Sequence, residues 1–88
     1  MRIKVRSMVS SSGNPVANQF IIYAGKNTYF QSYDSIIVKN TPNNTYLDKG
    51  YWDYSVTTGK YRNDFLGEGI AETRKKIASG EYKLRDLN

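Results

Sequence analysis

The first two thirds of the chain carry apolar residues in patterns that are typical of β-strands. Residues 3–6, Ile-Lys-Val-Arg, alternate apolar and basic residues with a period of two. This period predicts that Ile3 and Val5 face the core, with Arg2, Lys4 and Arg6 together on the opposite face of the strand. Further strands are predicted at residues 19–23, 28–33, 35–39 and 45–47, separated by turn-forming residues at 25–27 and 40–44.

The last third of the chain changes to helical spacing. A short helix is predicted from Thr57 or Thr58 to Leu66, and Gly67 follows it as a stop. A start at Lys60 is the alternative, because Gly59 weakens the first turn.

A second helix is predicted over residues 70–78, with Gly80 as its stop. Glu72 and Lys76 lie four residues apart in the favourable order for an ion pair along the helix. Residues 81–87 form a candidate final strand.

These elements predict an α+β fold in which helices are segregated from the sheet. The expected order is an antiparallel β-meander of about five strands, then one or two short helices and the candidate C-terminal strand. A partly open small barrel is the alternative architecture. With 88 residues, the chain is long enough for one domain spanning residues 1–88.

The composition excludes most of the common catalytic mechanisms. The chain contains no histidine and no cysteine, so it lacks the commonest general base, the thiol nucleophile and the usual zinc ligands. Asp48 and Asp53 flank a turn, but nothing in the sequence indicates that carboxylates converge on a metal ion. We therefore expect a protein that is not an enzyme and that binds no metal or other cofactor.

Membrane and secretory signals are not evident in the sequence. The longest apolar run, residues 20–24, is far shorter than the roughly 20 residues of a membrane-spanning helix. The charged residues at 2, 4 and 6 are unlike the apolar stretch of a secretory leader. Since a small secreted domain usually carries disulfides and this chain has no cysteine, a cytoplasmic location is expected.

The basic residues are concentrated in the first half of the chain. The net charge is +5, and residues 1–40 carry five basic residues against Asp34 alone. On a strand, Arg2, Lys4 and Arg6 would line one face about 7 Å apart, a spacing suited to contacts with a phosphate backbone. The alternative is that these cations only protect an exposed or edge strand.

Aromatic residues cluster at residues 51–54, Tyr-Trp-Asp-Tyr, between Lys49 and Lys60. Trp and Tyr are common at the centres of protein interfaces and also stack on nucleic-acid bases. Tyr51, Trp52 and Tyr54 are therefore candidate recognition residues. The alternative is that these rings belong to a small amphipathic core.

Three segments resemble a family of small uncharacterised proteins found in phages and mobile elements of Gram-positive bacteria. They are residues 18–22, 29–37 and 51–63, and the resemblance extends from residue 8 to residue 87. The resemblance implies a small accessory protein in a bacterial cytoplasm. It supplies no catalytic or binding residues.

Three functional hypotheses follow. The first is a non-enzymatic binding protein of a phage or mobile element that inhibits a host defence system, such as an RNA-guided nuclease. Its partner would be a host protein or protein–nucleic-acid complex. The second is direct nucleic-acid binding through Arg2, Lys4, Arg6 and the aromatic residues at 51–54. The third is a small oligomeric structural module.

Overall fold

The computed structural model describes residues 2–88, and it has the predicted α+β fold. Five strands precede two helices, and a sixth strand follows them. In chain order the elements are β1 (Ile3–Val9), β2 (Pro15–Ala24), β3 (Asn27–Ser32), β4 (Ser35–Asn40), β5 (Thr45–Asp48), α1 (Val56–Leu66), α2 (Ile70–Ser79) and β6 (Tyr82–Arg85).

The six strands form one open sheet in the order β1-β2-β3-β4-β5-β6. The first five strands form an antiparallel meander, whereas β6 runs parallel to β5. A parallel pair needs a long crossover connection, and the two helices provide it here. Because β1 and β6 lie at opposite edges of the described sheet, the small-barrel alternative is wrong.

Both helices contact the same side of the sheet, which we call the inner face. The hydroxyls of Ser32 on β3 and Thr58 on α1 are 2.7 Å apart, and the pair is buried. The rings of Phe30 and Phe65 stack with their centroids 5.8 Å apart. The buried core lies between this face and the helices, and its apolar members are Met8, Phe30, Ile37, Val38, Leu47, Tyr61 and Tyr82.

The expectation for β1 was wrong about which side of the strand faces the core. Ile3 and Val5 are 65% and 57% exposed, and in this strand only Met8 is buried. The strand registers place Lys4 and Arg6 on the inner-face side and Ile3 and Val5 on the other side. The alternation is therefore present, but the edge position of β1 leaves both sides of this strand largely open to water.

The helix ends are set by residues near those predicted. Ser55, rather than Thr57 or Thr58, caps α1 by accepting a hydrogen bond from the Thr58 backbone N–H. The chain leaves α1 and α2 through Gly67 and Gly80, whose φ angles of 72° and 84° lie in the left-handed region that favours glycine. In residues 2–88, neither helix is long and apolar enough to cross a membrane.

A carboxylate between the two helices attaches α2 to β6. Glu68 accepts hydrogen bonds from Lys76 Nζ at 2.7 Å, Thr73 Oγ1 at 2.7 Å and the Tyr82 hydroxyl at 3.0 Å. Burial alone would raise the pKa of Glu68, but these donors outweigh it and lower the pKa. The expected pairing of Lys76 with Glu72 is replaced by this contact, because Glu68 is held against the same lysine by the chain turn before α2.

Gln19 is a polar residue inside the core. It is fully buried on β2, opposite the buried Ser32 on β3. Neither its amide nitrogen nor its amide oxygen has a hydrogen-bond partner among residues 2–88. A buried amide without partners keeps its full desolvation cost, so we expect the fold to be less stable with Gln19 than with an apolar residue of the same length at this position.

We predict that Gln19→Met, which keeps the length of the side chain, stabilises the protein. The free energy of unfolding should rise by about 1–2 kcal/mol, because the unpartnered amide is removed without leaving a cavity. This corresponds to a Tm increase of about 4–8 °C for each kcal/mol in a domain of this size. Thermal unfolding followed by circular dichroism measures the change. A lower Tm would show that the amide is hydrogen-bonded, for example to a buried water molecule.

Candidate functional site

The structure places the eight candidate residues in two separate groups. Arg2, Lys4 and Arg6 lie in or next to β1, at one edge of the sheet. The others lie in the β5–α1 connection, residues 49–55, or on α1; they are Lys49, Tyr51, Trp52, Tyr54 and Lys60. Three strands separate β1 from β5, which corresponds to about 19 Å across the sheet. The β1 cations and the aromatic cluster therefore do not adjoin one another along the sheet.

Asp48 holds the start of the β5–α1 connection. Its Oδ2 accepts hydrogen bonds from the backbone N–H groups of Gly50 and Tyr51, at 3.0 and 2.9 Å. Its Oδ1 accepts from the Leu87 N–H at 2.8 Å and from Asn88 Nδ2 at 3.0 Å. This one carboxylate therefore ties the connection to the C-terminal segment.

The electrostatics of Asp48 favour its charged form. Asp48 is only 2% exposed, and burial alone would raise its pKa. The four hydrogen bonds outweigh this effect and hold the pKa below its usual value. Asp48 is thus a structural anion at neutral pH, with both oxygens occupied.

Arg62 holds the other end of the connection. Its Nη1 donates to the Trp52 carbonyl at 2.7 Å and to Asp53 Oδ1 at 3.1 Å. Its Nη2 donates to Asn63 Oδ1 at 3.0 Å, and its guanidinium carbon lies 5.3 Å from the centroid of the Trp52 ring system. Arg62 is 1% exposed, so the pairing with Asp53 compensates a buried charge.

The roles of Asp48 and Arg62 were not predicted from the sequence. For Arg62 the spacing in the sequence was informative. Arg62 follows Thr58 by four residues, which places both residues on the same side of α1. A buried arginine on that side needs acceptors nearby, and the 51–54 segment provides them. For Asp48 no local signal points to Leu87 and Asn88, which lie 39 and 40 residues further along the chain.

The aromatic cluster divides into packed and exposed members. Trp52 packs against the core and contacts Arg62. Tyr51 and Tyr54 are 43% and 45% exposed, and their rings meet edge to face with centroids 5.5 Å apart. The indole is therefore a structural element, and the two tyrosines are the members available to a partner.

A cleft of about 700 Å³ lies beside Tyr54, between the connection and the two helices. Val56, which is 91% exposed, and Ile70 give it apolar surface. Lys60, Arg62 and Arg74 add positive charge, and Asp53 and Asp64 add negative charge. Asp53 is bridged to Arg62 at 3.1 Å and to Arg74 at 3.4 Å. The cleft thus combines an aromatic ring, aliphatic surface and charges of both signs.

The described carboxylates are either separated from one another or hydrogen-bonded within the protein. Within residues 2–88, no three Asp or Glu side chains lie close enough together to hold a metal ion. The most strongly held carboxylates, Asp48 and Glu68, accept hydrogen bonds from the protein itself. What the exposed groups can do is pack, donate hydrogen bonds and attract charge.

The comparison with known families gives one result. Residues 3–81 match the model of a family described as Family of unknown function (DUF8033). The chain belongs to this family. The matched range includes β1 to α2 and therefore the whole connection with its tyrosines, but the family description carries no activity. No curated protein and no solved structure matches the chain significantly.

The division of the aromatic cluster predicts different effects of two substitutions on stability. Trp52→Ala should lower the free energy of unfolding by roughly 3 kcal/mol, the lower end of the range for core Trp residues, because its ring is partly exposed. Tyr54→Ala should change it by no more than about 0.5 kcal/mol, as at most surface positions. Urea unfolding followed by circular dichroism measures both. Unchanged stability in Trp52→Ala would contradict the packed role of the indole.

Proposed function

We propose that the protein acts by binding a protein partner through the β5–α1 connection and the adjoining cleft. The observation that carries the proposal is the exposed pair Tyr51 and Tyr54, on a backbone segment attached by Asp48 at its start and by Arg62 near its end. Aromatic anchors that are already held in position lose little conformational freedom on binding. Lys60, which forms no ion pair among residues 2–88, would favour an acidic group of the partner at the cleft.

A non-enzymatic role is part of the proposal. It is supported by the absence of histidine and cysteine from the sequence and by the structural hydrogen bonds that occupy Asp48 and Glu68. Without an activated nucleophile or general base, the protein would exert its effect by occupying a surface of another molecule.

We further propose a setting for this binding: an accessory protein of a phage or mobile element that acts in the cytoplasm of a bacterial host. Its target would be a host defence system such as an RNA-guided nuclease. The resemblance of residues 18–22, 29–37 and 51–63 to proteins of that setting supports this proposal, as does the net charge of +5. A basic protein can occupy an acidic surface of its partner, or compete with that partner for nucleic acid.

The oligomeric-module hypothesis has less support. Its natural contact would be the free edge of β1, yet this strand carries the exposed cations Lys4 and Arg6. Charged side chains on an edge strand disfavour pairing with a second copy, because like charges would meet.

Site-specific photocrosslinking tests the proposed surface. A photoreactive phenylalanine analogue replaces Tyr54 in one version of the protein and Tyr23 in the control version. Tyr23 is 37% exposed and lies on β2, away from the connection. In a Gram-positive host, we expect one dominant protein adduct from position 54 and none from position 23. Excess wild-type protein should suppress the adduct, and the Tyr51→Ala/Tyr54→Ala variant should not.

Two results would count against the proposal. Equal adducts from both positions would show nonspecific contact, and no adduct from position 54 would remove the proposed surface. The identity of the crosslinked protein tests whether the target is a host defence system. A component of a defence nuclease would support that role. An unrelated protein would contradict the defence role but would still support binding through this surface.

A further inference from the structure

The side of the sheet away from the helices forms a second surface, which we call the outer face. One register row crosses all six strands on this side: Val5, Ile22, Tyr29, Lys39, Tyr46 and Lys83. Every residue of this row is exposed or half-buried. The helix contacts described above involve inner-face residues such as Phe30, Ser32 and Tyr82.

The outer face presents aromatic rings at separated positions. Tyr29 and Tyr46 lie in the same register row with one strand between them, which corresponds to about 10 Å across the sheet. Phe20 is diagonal to Tyr29, since it lies two residues before the Tyr29 partner Ile22. Diagonal neighbours in a sheet are about 7–8 Å apart, within reach of aromatic side chains. All three rings are half-buried, so part of each remains accessible.

The charge on the sheet is almost entirely positive. The six strands contain five basic residues and one carboxylate, Asp48. Asp48 is buried, and both of its oxygens already accept hydrogen bonds. Among residues 2–88, the outer-face cations Lys39, Lys83 and Arg85 form no ion pair. Their charges are therefore available to an anionic ligand.

Two of these cations flank an aromatic ring. Lys39 Nζ is 6.0 Å from the ring centroid of Tyr46, and the Arg85 guanidinium carbon is 5.9 Å from it. Both distances are at the outer limit of a cation–π contact, and Arg85 Nη1 also donates a hydrogen bond to the Leu84 carbonyl at 2.8 Å. Tyr46 thus lies between two cations that form no ion pair among residues 2–88, in the middle of the basic part of the face.

We propose that the outer face binds single-stranded nucleic acid, with bases stacked on Phe20, Tyr29 and Tyr46 and phosphates contacted by Lys39, Lys83 and Arg85. Separated rings with interspersed cations on an open sheet suit a ligand that alternates flat bases with phosphates. A second copy of the chain fits less well, because packing two such faces together would bring their cations into proximity. This inference goes beyond the proposed function and uses a different surface.

Binding of fluorescein-labelled dT12 and rU12, followed by anisotropy between 50 and 300 mM salt, tests the electrostatic part. Each phosphate contact to a single strand contributes about −0.7 to the slope of log affinity against log salt. Lys39→Gln/Lys83→Gln should therefore reduce the size of the slope by about 1.4. Lys26→Gln/Lys75→Gln removes the same charge from a turn and from α2, and it should leave the slope nearly unchanged. The two oligonucleotides distinguish DNA from RNA as the ligand.

A pair of tyrosine substitutions tests the stacking part. Tyr29→Thr should weaken dT12 or rU12 binding about 5-fold to 100-fold, the range expected when one stacked base loses its aromatic partner. Tyr23→Thr, in the same hairpin but on the inner-face side, should have little effect. Chemical-shift mapping with unlabelled oligonucleotide should move the signals of Phe20, Tyr29 and Tyr46. This mapping identifies the surface even if one variant fails to fold.

Several outcomes would overturn the inference. Two concern affinity: no binding at 50 mM salt, and a DNA or RNA duplex bound as tightly as the single strands. Two concern the surface: equal losses of slope in the two lysine double variants, and chemical-shift changes confined to the β1 cations or to the cleft beside Tyr54. A concentration-dependent dimer that buries Tyr29 in sedimentation and chemical-shift experiments would also overturn it, in favour of a second copy as the occupant. The crosslinking result at Tyr54 is independent of all of these.

Discussion

The two helices cover only one side of a six-stranded sheet, and this constraint determines where the core and the surfaces lie. α1 and α2 contain 11 and 10 residues, so each is only about 15–17 Å long. The sheet is about 24 Å wide across its strands. Both helices pack on the inner face, where they bury Phe30, Val38 and Leu47. The other side is left uncovered by helices, and its aromatic rings and cations are exposed or half-buried.

Charged groups inside the structure act as fixed connections between its elements. Asp48 joins the β5–α1 connection to the C-terminal segment, Arg62 joins it to α1, and Glu68 joins α2 to β6. Each makes several hydrogen bonds, as a buried charge requires. Because these connections order residues 49–55, the exposed tyrosines lie on a defined segment although it contains no regular secondary structure.

Local patterns in the sequence were sufficient for the order and type of the elements. The β2–β3 hairpin, the apolar β4 strand and α2 with its Gly80 stop all occur close to where their residues predict them. The parallel pairing of β6 with β5 was not available from local pattern, because it depends on how the two helices carry the chain back to the sheet.

Two features were harder to predict, for a physical reason. They are the side of β1 that faces the core and the division of the candidate residues into packed and exposed ones. Alternation shows that the two sides of a strand differ, but it does not show which side the rest of the chain covers. Ile3 and Val5 are exposed because they lie on the outer side of the edge strand, which neither helix covers. Similarly, the density of aromatic residues at 51–54 indicated a cluster, but only the position of Arg62 separates the packed Trp52 from the exposed tyrosines.

One face of the sheet is closed by helices and the other is open. Solvent paramagnetic relaxation measured by NMR with a neutral gadolinium chelate tests this arrangement directly. We expect strong broadening of the Val5, Ile22 and Tyr29 side-chain signals and protection of Phe30, Val38 and Leu47. Protection of Val5, Ile22 and Tyr29 in a monomeric sample would contradict it, because it would mean that part of the chain covers the outer face.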